Sequence, residues 1–380
     1  MSMKIKVKLK LQPLDFVVRE ILPDRRILDI DTEFDYSQEG ECLHCMLRKD
    51  NVDQFKALSF IASALDISSK NIAVCGTKDK KAITVQRISI CGCKKEDIDK
   101  LSFEYMDLKF LGRGSVLNIG ELYGNNFDIV LRNIYLQKDG LQKHLDRIKQ
   151  RPVFPNYFGV QRFGVERPIS HVIGKHVILS DFKSAVMDYI TVVFPRESED
   201  LKAARRMAKT DLKKSLELFP VIFYYERIMI LYLLDNPDDY VGAFSRLPFN
   251  LQKLMVHAYQ SYLFNKVLDA VVSENIGDRR LEIPLFGFGM NAPKDKRLAA
   301  VMRNVLKEEA ISLQSFRDDV SRKLGSKGGR RRAFETAFDF SVIDIGEDDM
   351  NKGKLKCRIS FFLRKGTYAT TFLSTFFDLS

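Results

Sequence analysis

The sequence between residues 71 and 91 reads NIAVCGTKDKKAITVQRISIC. Its first apolar run ends at Gly76 and a β-branched run begins at Ile83, a pattern that predicts two strands joined by a tight loop. The loop carries one carboxylate, that of Asp79, among three lysines. Because cationic neighbours favour the ionised form of a carboxylate, we expect Asp79 to be an anion or a nucleophile. The simpler interpretation is an exposed residue in a hairpin turn.

Strands dominate the sequence on both sides of this loop. Alternating or β-branched runs predict strands at residues 3–11, 16–22, 42–48, 108–111, 116–119 and 127–131, with helices at residues 54–65 and 141–149. Every even-numbered residue from Lys4 to Lys10 is a lysine, so one face of the first strand is basic. That face is either a solvated surface or the floor of a nucleic-acid cleft.

The sequence changes character after about residue 168. Apolar residues at helical spacing predict helices at residues 201–219, 221–234, 251–274 and 299–324, followed by a strand at 358–363 and a short helix or extended tail at 370–377. These elements predict an α+β fold. A sheet-based domain of residues 1–165 and 335–380 is interrupted by an inserted, mainly helical domain of residues 166–334.

The chain is basic. Its 380 residues include 61 lysines and arginines and 50 aspartates and glutamates, which gives a net charge of +11. This excess suggests a polyanionic partner, either nucleic acid or an acidic membrane surface. Residues 322–332, RKLGSKGGRRR, contain six cations and no acid. They predict a mobile loop that either contacts phosphates or is a solvated linker.

The location of the protein is suggested by what its sequence lacks. No uninterrupted run of about 18 apolar residues predicts a transmembrane helix. The N-terminus, MSMKIKVKLKLQP, is charged throughout and does not have the apolar core of a signal peptide. We therefore expect an intracellular protein that is cytoplasmic, or nuclear if its source is a eukaryote.

Six cysteines in a chain of this length predict free thiols in a reducing compartment. A zinc site can be imagined from four of them: Cys42, Cys45, Cys91 and Cys93. However, the first two lie in a predicted strand, where residues three apart point to opposite faces. The five histidines are scattered and form no HExxH motif. We therefore expect no metal.

Other stretches combine aromatic, glycine and amide residues. They are KLKLQPLDFVVRE at residues 8–20, YGNNF at 123–127, PNYFGVQRFG at 155–164, HAYQSYLFN at 257–265 and KGTYAT at 365–370. Each one alone is explained by turns and packing. Together with the pattern GxKDxxAxTxQ that begins at Gly76, they resemble, in the same order along the chain, the signatures of the TruD family of RNA pseudouridine synthases.

The resemblance covers about residues 8–374. It implies a discontinuous catalytic domain with a family-specific helical insertion. It also implies the isomerisation of a uridine in tRNA, by analogy uridine 13, without a cofactor or metal. The implied catalytic residues are Asp79 and an active-site lysine, Lys10. The implied substrate-binding residues are Phe127 and Tyr368 as candidates to stack on the base, Asn125 as an amide contact that orients the pocket, Lys78 in the loop, and Asn156, Phe158 and Arg162 in the pocket wall.

The chemistry agrees with these implied roles. Uracil has to be detached at N1 and rejoined through C5, and a carboxylate assists either covalently or through proton transfer. A base inside a folded RNA must also be extruded, which requires an aromatic side chain for stacking.

A non-catalytic RNA-binding protein with the same basic cleft is the main alternative, although it would need neither Asp79 nor a pocket. The sequence does not contain convincing versions of the motifs that define three other enzyme classes. A zinc deaminase would need HxE and PCxxC, a Rossmann methyltransferase a glycine-rich loop, and a P-loop NTPase GxxxxGK[ST]. We expect a monomer, because the fold needs no partner.

Overall fold

The computed structural model describes residues 4–34, 36, 39–317 and 323–379. These residues form a mixture of helices and strands, which confirms the α+β class. The chain divides into two compact units, one of Met1–Phe154 with Thr336–Ser380 and one of Pro155–Glu335. The sequence placed the corresponding boundaries at 165/166 and 334/335. The assignment of the second unit as a family-specific domain stays a prediction.

The elements are numbered along the chain. The strands are β1 (Ile5–Val7), β2 (Phe16–Ile21), β3 (Cys42–Asp50), β4 (Ile72–Val74), β5 (Ile83–Ile90), β6 (Met106–Gly114), β7 (Gly124–Ile134), β8 (Val153–Pro155), β9 (Glu282–Leu285), β10 (Gly329–Arg332), β11 (Phe334–Thr336), β12 (Phe338–Glu347), β13 (Leu355–Arg364) and β14 (Phe377–Leu379).

The helices follow the same numbering. They are α1 (Gln54–Ala64), α2 (Lys95–Ile98), α3 (Lys138–Gln150), α4 (Ser170–Ile178), α5 (Phe182–Thr191), α6 (Glu199–Met207), α7 (Leu212–Leu218), α8 (Tyr224–Asp235), α9 (Tyr240–Phe244), α10 (Phe249–Ser273), α11 (Lys296–Glu308) and α12 (Ala369–Phe376), with 3₁₀ turns at Pro13–Asp15, Ser69–Asn71, Val160–Arg162 and Leu313–Arg317. Among the described residues, no helix has the length and apolarity that a membrane span requires.

The large sheet of the first unit has the strand order β12-β13-β7-β2-β5-β3-β6, and β4 also pairs with β5. One edge of β5 pairs with β3 along its whole length. Two strands share the other edge: β2 runs parallel to residues 83–85, and β4 runs antiparallel to residues 88–90. Because β2 occupies the place beside the start of β5, the chain between β4 and β5 cannot close as a tight hairpin. Residues 75–82, hereafter the Asp79 loop, have to leave the edge.

One face of this sheet carries two apolar cores. The first includes Phe127 and Phe361 of the sheet together with Phe372 of α12. The second includes Leu47 of β3 and Ile61 of α1. Between them the strand register places polar residues of β2, β5 and β7 on the same face. The sheet therefore has a polar middle flanked by apolar sides.

The second unit is mainly helical, and α10 is its longest helix. Residues on every side of α10 are buried, among them Tyr259, Leu263 and Phe264, as expected for a helix without a strongly polar face. Helix α4 approaches it closely at Gly174. A Cβ atom there would lie 2.0 Å from the carbonyl oxygen of Met255, so only glycine fits.

Several local predictions are wrong. Residues 116–119 are not a strand, and the first strand is limited to Ile5–Val7. The helix predicted at 201–219 is divided into α6 and α7, where Asp211 caps the second helix by accepting a hydrogen bond from the Lys214 amide. The two strands on either side of Asp79 are present, but the tight loop predicted between them is the longer Asp79 loop.

The helix predicted at 299–324 is shorter: α11 ends at Glu308, and a separate 3₁₀ turn follows at Leu313–Arg317. Residues 318–322 of this prediction lie outside the described residues. The segment 322–332 is not wholly a mobile loop: residue 322 lies outside the described residues, whereas 329–332 form β10, which pairs with β9. Its serine, Ser326, is fully buried and donates to the carbonyl oxygen of Phe316. Much of this basic segment is therefore held in place.

The expectation of free thiols is wrong for two cysteines. Cys42 and Cys91 form a disulfide between β3 and the end of β5, because adjacent antiparallel strands bring these two residues opposite each other. Cys45, Cys75, Cys93 and Cys357 are free thiols. A zinc site that uses Cys42 and Cys91 is thereby ruled out in this structure.

A buried arginine holds the turn before β2. Arg132 is 3% exposed and contacts the carboxylates of Asp15 and Asp348 at 2.8 Å, and that of Asp349 at 2.9 Å. Burial disfavours its charge, but hydrogen bonds to the three carboxylates raise the pKa of Arg132 above its ordinary value. Burial also opposes the charge on Asp348, yet hydrogen bonds from the Asn133 and Met350 amides and other donors lower its pKa.

Arg132→Met should lower the free energy of unfolding at pH 7 by about 3–5 kcal/mol, because two buried carboxylates lose their partner. Asp348 stabilises the native fold above its unfolded pKa of about 3.9, and this contribution is lost as the pH falls through its lowered folded pKa. In the variant, Asp348 lacks one of the donors that lower its pKa, so the deficit should shrink from pH 7 towards pH 5. Urea unfolding at both pH values measures it.

Arg26→Met is the matched control, because Arg26 pairs with Asp24 at an exposed position. That variant should lose less than about 1 kcal/mol. Equal losses in the two variants would contradict a special role for the buried network.

Candidate active site

The Asp79 loop is fixed at both ends. The carbonyl of Cys75 accepts from the Gly120 amide at 2.7 Å, and the carbonyl of Ala82 accepts from the Asn51 amide at 3.1 Å. Between these ties the side chain of Asp79 stays 25% exposed. The loop therefore presents a carboxylate that solvent and ligands can reach.

Lys10 is the cationic partner of Asp79. Its Nζ lies 3.2 Å from Oδ1 of the carboxylate and 4.0 Å from the centre of the Phe16 ring, a cation–π arrangement. The backbone of Lys10 is left-handed, with φ of +55°, which costs a non-glycine residue about 1–2 kcal/mol.

The turn that presents Lys10 is anchored by Asp15. One oxygen of this buried carboxylate accepts from Nε of Arg132 at 2.8 Å, and the other accepts from the Gln12 amide at 3.1 Å. The arginine thus fixes the turn between Lys10 and β2.

Gln54, in the first turn of α1, holds the Asp79 loop from one side. Its Oε1 accepts from the amide of Lys78 at 2.6 Å, and its Nε2 donates to the carbonyl of Gly76 at 3.4 Å. Both groups of the buried amide are thereby used on loop backbone. The start of the helix and the loop form one unit.

Lys78 is directed into the protein. It is 7% exposed, and its Nζ donates to Oε2 of Glu20 at 2.8 Å. Glu20 lies on β2 and is fully buried. This ion pair holds the residue next to Asp79 against the polar middle of the sheet.

Lys49, on β3, lies beneath the loop. It is fully buried, and its Nζ donates to the backbone carbonyl of Asp79 at 2.6 Å and to that of Val52 at 3.2 Å. Burial is the main reason that the pKa of Lys49 falls to about 8. Nearby carboxylates oppose this shift only in part.

The polar middle of the sheet has unsatisfied hydrogen-bonding atoms. Within the described part of the chain, buried atoms without a hydrogen-bond partner include Oε1 of Glu20, Oγ1 of Thr84, both amide atoms of Gln86 and Oδ1 of Asn125. Glu20 pairs across the strands with Asn125, and Thr84 pairs with Val18, so these side chains share one face. Clusters of unsatisfied buried groups are unusual and mark sites with a function.

Aromatic rings border the polar middle of the sheet, hereafter the polar strip. Phe16, which lies against Lys10, packs edge-on against Phe127 with ring centres 6.0 Å apart, and Phe127 stacks on Phe361 at 5.4 Å. Phe127 is 6% exposed. Tyr368 is half-buried and caps α12 just beyond the end of β13. That end of β13 pairs with the start of β7, close to Asn125 in the strand register.

The remaining expected site residues lie in the second unit. Oδ1 of Asn156 accepts from Arg331 at 2.6 Å. The guanidinium of Arg331 lies 4.0 Å from the centre of the Phe158 ring. Nε of Arg162 donates to Oγ of Ser261, on α10, at 3.1 Å. These residues therefore bind one another and α10 within their own unit.

No metal centre is seen in the residues that the structure describes. In those ranges, no group of three or more histidine, cysteine, aspartate or glutamate side chains is arranged to hold a metal ion.

A mixed sheet with a lysine-paired aspartate over a polar strip defines a candidate enzyme site, and comparisons with known proteins identify its class. The family model described as tRNA pseudouridine synthase D (TruD) matches residues 2–282 and 275–376. A protein from Methanosarcina barkeri named probable tRNA pseudouridine synthase D is 35% identical, with 94% of this chain and 90% of that protein covered. A protein of the same name from Methanopyrus kandleri is 34% identical, with 86% of this chain and 83% of that protein covered.

A solved structure gives the same result. The crystal structure of a TruD protein from Methanosarcina mazei has a TM-score of 0.79 and 31% identity, and it covers 98% of this chain and 94% of its own. The chain is therefore a pseudouridine synthase, an isomerase. It belongs to the tRNA pseudouridine synthase D (TruD) family, which confirms the resemblance seen in the sequence.

The sequence did not single out three residues that hold the loop: Lys49, Gln54 and Glu20. A signal for Lys49 was present, because it continues the apolar face of Leu43, Cys45 and Leu47 on β3. A lysine in such a row needs a buried partner. Gln54 gave no comparable signal, because a glutamine at the start of a helix is commonly exposed.

Lys10→Gly and Lys10→Ala should separate the ion pair from the backbone strain. Both remove the ammonium beside Asp79, so both should slow pseudouridine formation at least about tenfold. Glycine accepts a positive φ without strain, so the glycine variant should be more stable than the alanine variant by about 1 kcal/mol. Single-turnover rates and urea unfolding measure these effects. A native rate in either variant would show that the ion pair is dispensable.

Proposed function

We propose that this chain converts uridine 13 of tRNA to pseudouridine and that Asp79 is the catalytic carboxylate. The observation that carries the proposal is the position of Asp79. Its carboxylate is exposed to ligands and paired with Lys10 at 3.2 Å, while the loop around it is held by buried side chains. The family membership of the chain and the names of its relatives support tRNA as the substrate class.

The reaction needs no net donor or acceptor of electrons. The bond from C1′ of the ribose to N1 of uracil breaks, a bond from C1′ to C5 forms, the proton on C5 leaves and N1 gains a proton. An ionised carboxylate assists by attack on the ribose or on the base. Lys10 orients Asp79 through the contact at 3.2 Å, and the partly shielded site strengthens that interaction.

The uracil of the flipped nucleotide binds, in this proposal, above the polar strip. The side-chain amide of Asn125 offers both an acceptor for the N3–H of uracil and a donor for one of its carbonyl groups. Tyr368 stacks on the base. Phe127 packs against Phe16, the ring that contacts Lys10, and so supports the pocket. Lys78 acts through its ion pair with Glu20, which shapes the floor.

The second unit contributes an RNA-binding surface in the same proposal. Phe158 and Arg331 form a stacked cation–aromatic pair, a combination that favours contact with bases and phosphates. Asn156 and Arg162 hold this pair and the adjacent segment in position.

We further propose that the protein acts as a cytoplasmic monomer. Helices of the same chain cover the apolar core on the sheet of the first unit, so no second copy is needed to bury it. The related enzymes come from archaea, which supports the cytoplasm as the place of action. Sedimentation at micromolar concentration tests the oligomeric state.

Asp79→Asn should reduce pseudouridine formation on an unmodified tRNA transcript at least about 10³-fold, because an amide can neither attack nor accept a proton as a carboxylate does. RNA binding should remain. Asp99→Asn, which changes an exposed carboxylate, is the control and should leave the rate unchanged. A transcript with cytidine at position 13 should give no product.

The outcomes separate the alternatives. Full activity of Asp79→Asn would refute the catalytic assignment, and product from the cytidine-13 transcript would refute the position. Tight RNA binding by the native protein without conversion of any tRNA would favour the non-catalytic RNA-binding protein.

Affinity for tRNA should fall with salt, because lysines and arginines that bind phosphates release counterions. Between roughly 50 and 200 mM salt we expect a loss of at least about tenfold. Lys81→Ala, at an exposed position in the Asp79 loop, should reduce the slope of log K against log salt by about 0.7–0.9 if it makes one contact. Filter binding with the Asp79→Asn protein measures both, and a flat salt dependence would contradict a basic RNA-binding surface.

A further inference from the structure

Lys49 is the buried cation nearest to the backbone of the proposed catalytic residue. It follows Leu43, Cys45 and Leu47 on the inward face of β3, where each of these residues is completely buried. Across the strands it lies opposite Thr84 of β5. An ammonium group in such surroundings is unfavourable unless its hydrogen bonds are satisfied.

The hydrogen bonds of Lys49 join two separate segments. The carbonyl of Asp79 belongs to the loop, and the carbonyl of Val52 comes just before Asp53, the N-cap of α1. Gln54, one residue further, binds the same loop at Gly76 and Lys78. Lys49 and Gln54 therefore fix the loop to the start of α1 from two sides.

The contact at Asp79 is also the shorter of the two, 2.6 Å against 3.2 Å. Charge-assisted hydrogen bonds of this length are stronger than neutral ones. The bond holds the main chain at the point from which the carboxylate extends towards Lys10, and a small rotation of this peptide would move the carboxylate away from its partner.

We propose that Lys49 is a positioning residue for the isomerisation, which acts by holding the Asp79 peptide so that the carboxylate stays paired with Lys10 and directed at the substrate. The proposal rests on the catalytic role of Asp79. Lys49 itself is fully buried, so it contacts neither the base nor the phosphates. It therefore affects the chemical step and leaves RNA affinity unchanged.

The surroundings of Lys49 add a pH signature. Burial lowers its pKa to about 8, and the charges that face it are the carboxylates of Asp79 and Asp53, which raise the pKa, and the ammonium groups of Lys78 and Lys10, which lower it. As the pH rises through about 8 the amine loses its charge, and the bond to the Asp79 carbonyl weakens. The single-turnover rate of the native protein should therefore decline above pH 8.

The experiment compares native protein, Lys49→Met and Lys49→Arg on an unmodified tRNA transcript, with enzyme in excess. Methionine keeps the shape without the donor, and we expect its single-turnover rate to fall at least about tenfold while Kd for tRNA changes less than twofold. Arginine stays charged to pH 12, so its rate should not decline between pH 7 and 9. Lys109→Met is the matched control.

Lys109 lies on β6, the strand next to β3. Like Lys49, it donates to two backbone carbonyls, those of Ile30 and Thr32. It does so away from the Asp79 loop, so its variant should keep the native rate. This control distinguishes the effect of losing any lysine–carbonyl hydrogen bond from the effect of losing the hydrogen bond to the Asp79 carbonyl.

Two results would overturn the proposal. One is a folded Lys49→Met protein with a rate within twofold of native. The other is a decline near pH 8 that persists in Lys49→Arg, which decides the question if the methionine variant does not fold. Failure of the proposed function looks different, because then either the native protein forms no pseudouridine in any tRNA or Asp79→Asn keeps full activity.

Discussion

The sharing of one edge of β5 between β2 and β4 is the constraint on which the site depends. A strand edge offers each backbone group to one partner only. Because β2 takes residues 83–85 and β4 takes residues 88–90, the chain that joins β4 to β5 has to pass out of the sheet. The Asp79 loop is the result. The pairing of strands therefore places the carboxylate above the sheet before any side chain of the loop acts.

A loop that leaves a sheet has unpaired backbone groups, and the protein satisfies several of them with buried side chains. Gln54 binds the loop at two backbone positions, and Lys49 binds it at a third. The Lys78–Glu20 ion pair adds a fourth tie through side chains. These contacts come from β3, α1 and β2, so the loop is held from three directions. Such support is what the proposed catalytic role of Asp79 requires, because a catalytic group has to be held in a fixed geometry.

The sequence predicted the general plan because periodicity reports burial. β5 and α10 were found from their apolar patterns, and the order of motifs gave the family. It could not predict that β2 would take the place beside the start of β5 and leave only residues 88–90 to β4, since strand pairing between residues distant in sequence leaves no local pattern. For the same reason the disulfide of Cys42 and Cys91, opposite each other only after β3 and β5 pair, was missed.

The same limit explains why the site was predicted only in part. Asp79 and Lys10 lie in loops whose composition attracts attention, whereas the sequence signal for Lys49 is only its place at the end of the apolar row on β3, and its partners become visible only in the fold. Lys10 has a left-handed backbone, which a glycine would adopt without strain. Lys49 carries its ammonium group at a fully buried position, where an apolar residue would leave the carbonyls of Asp79 and Val52 without their donor. Their shared neighbour is Asp79, so one lysine holds the side chain of this residue and the other holds its backbone.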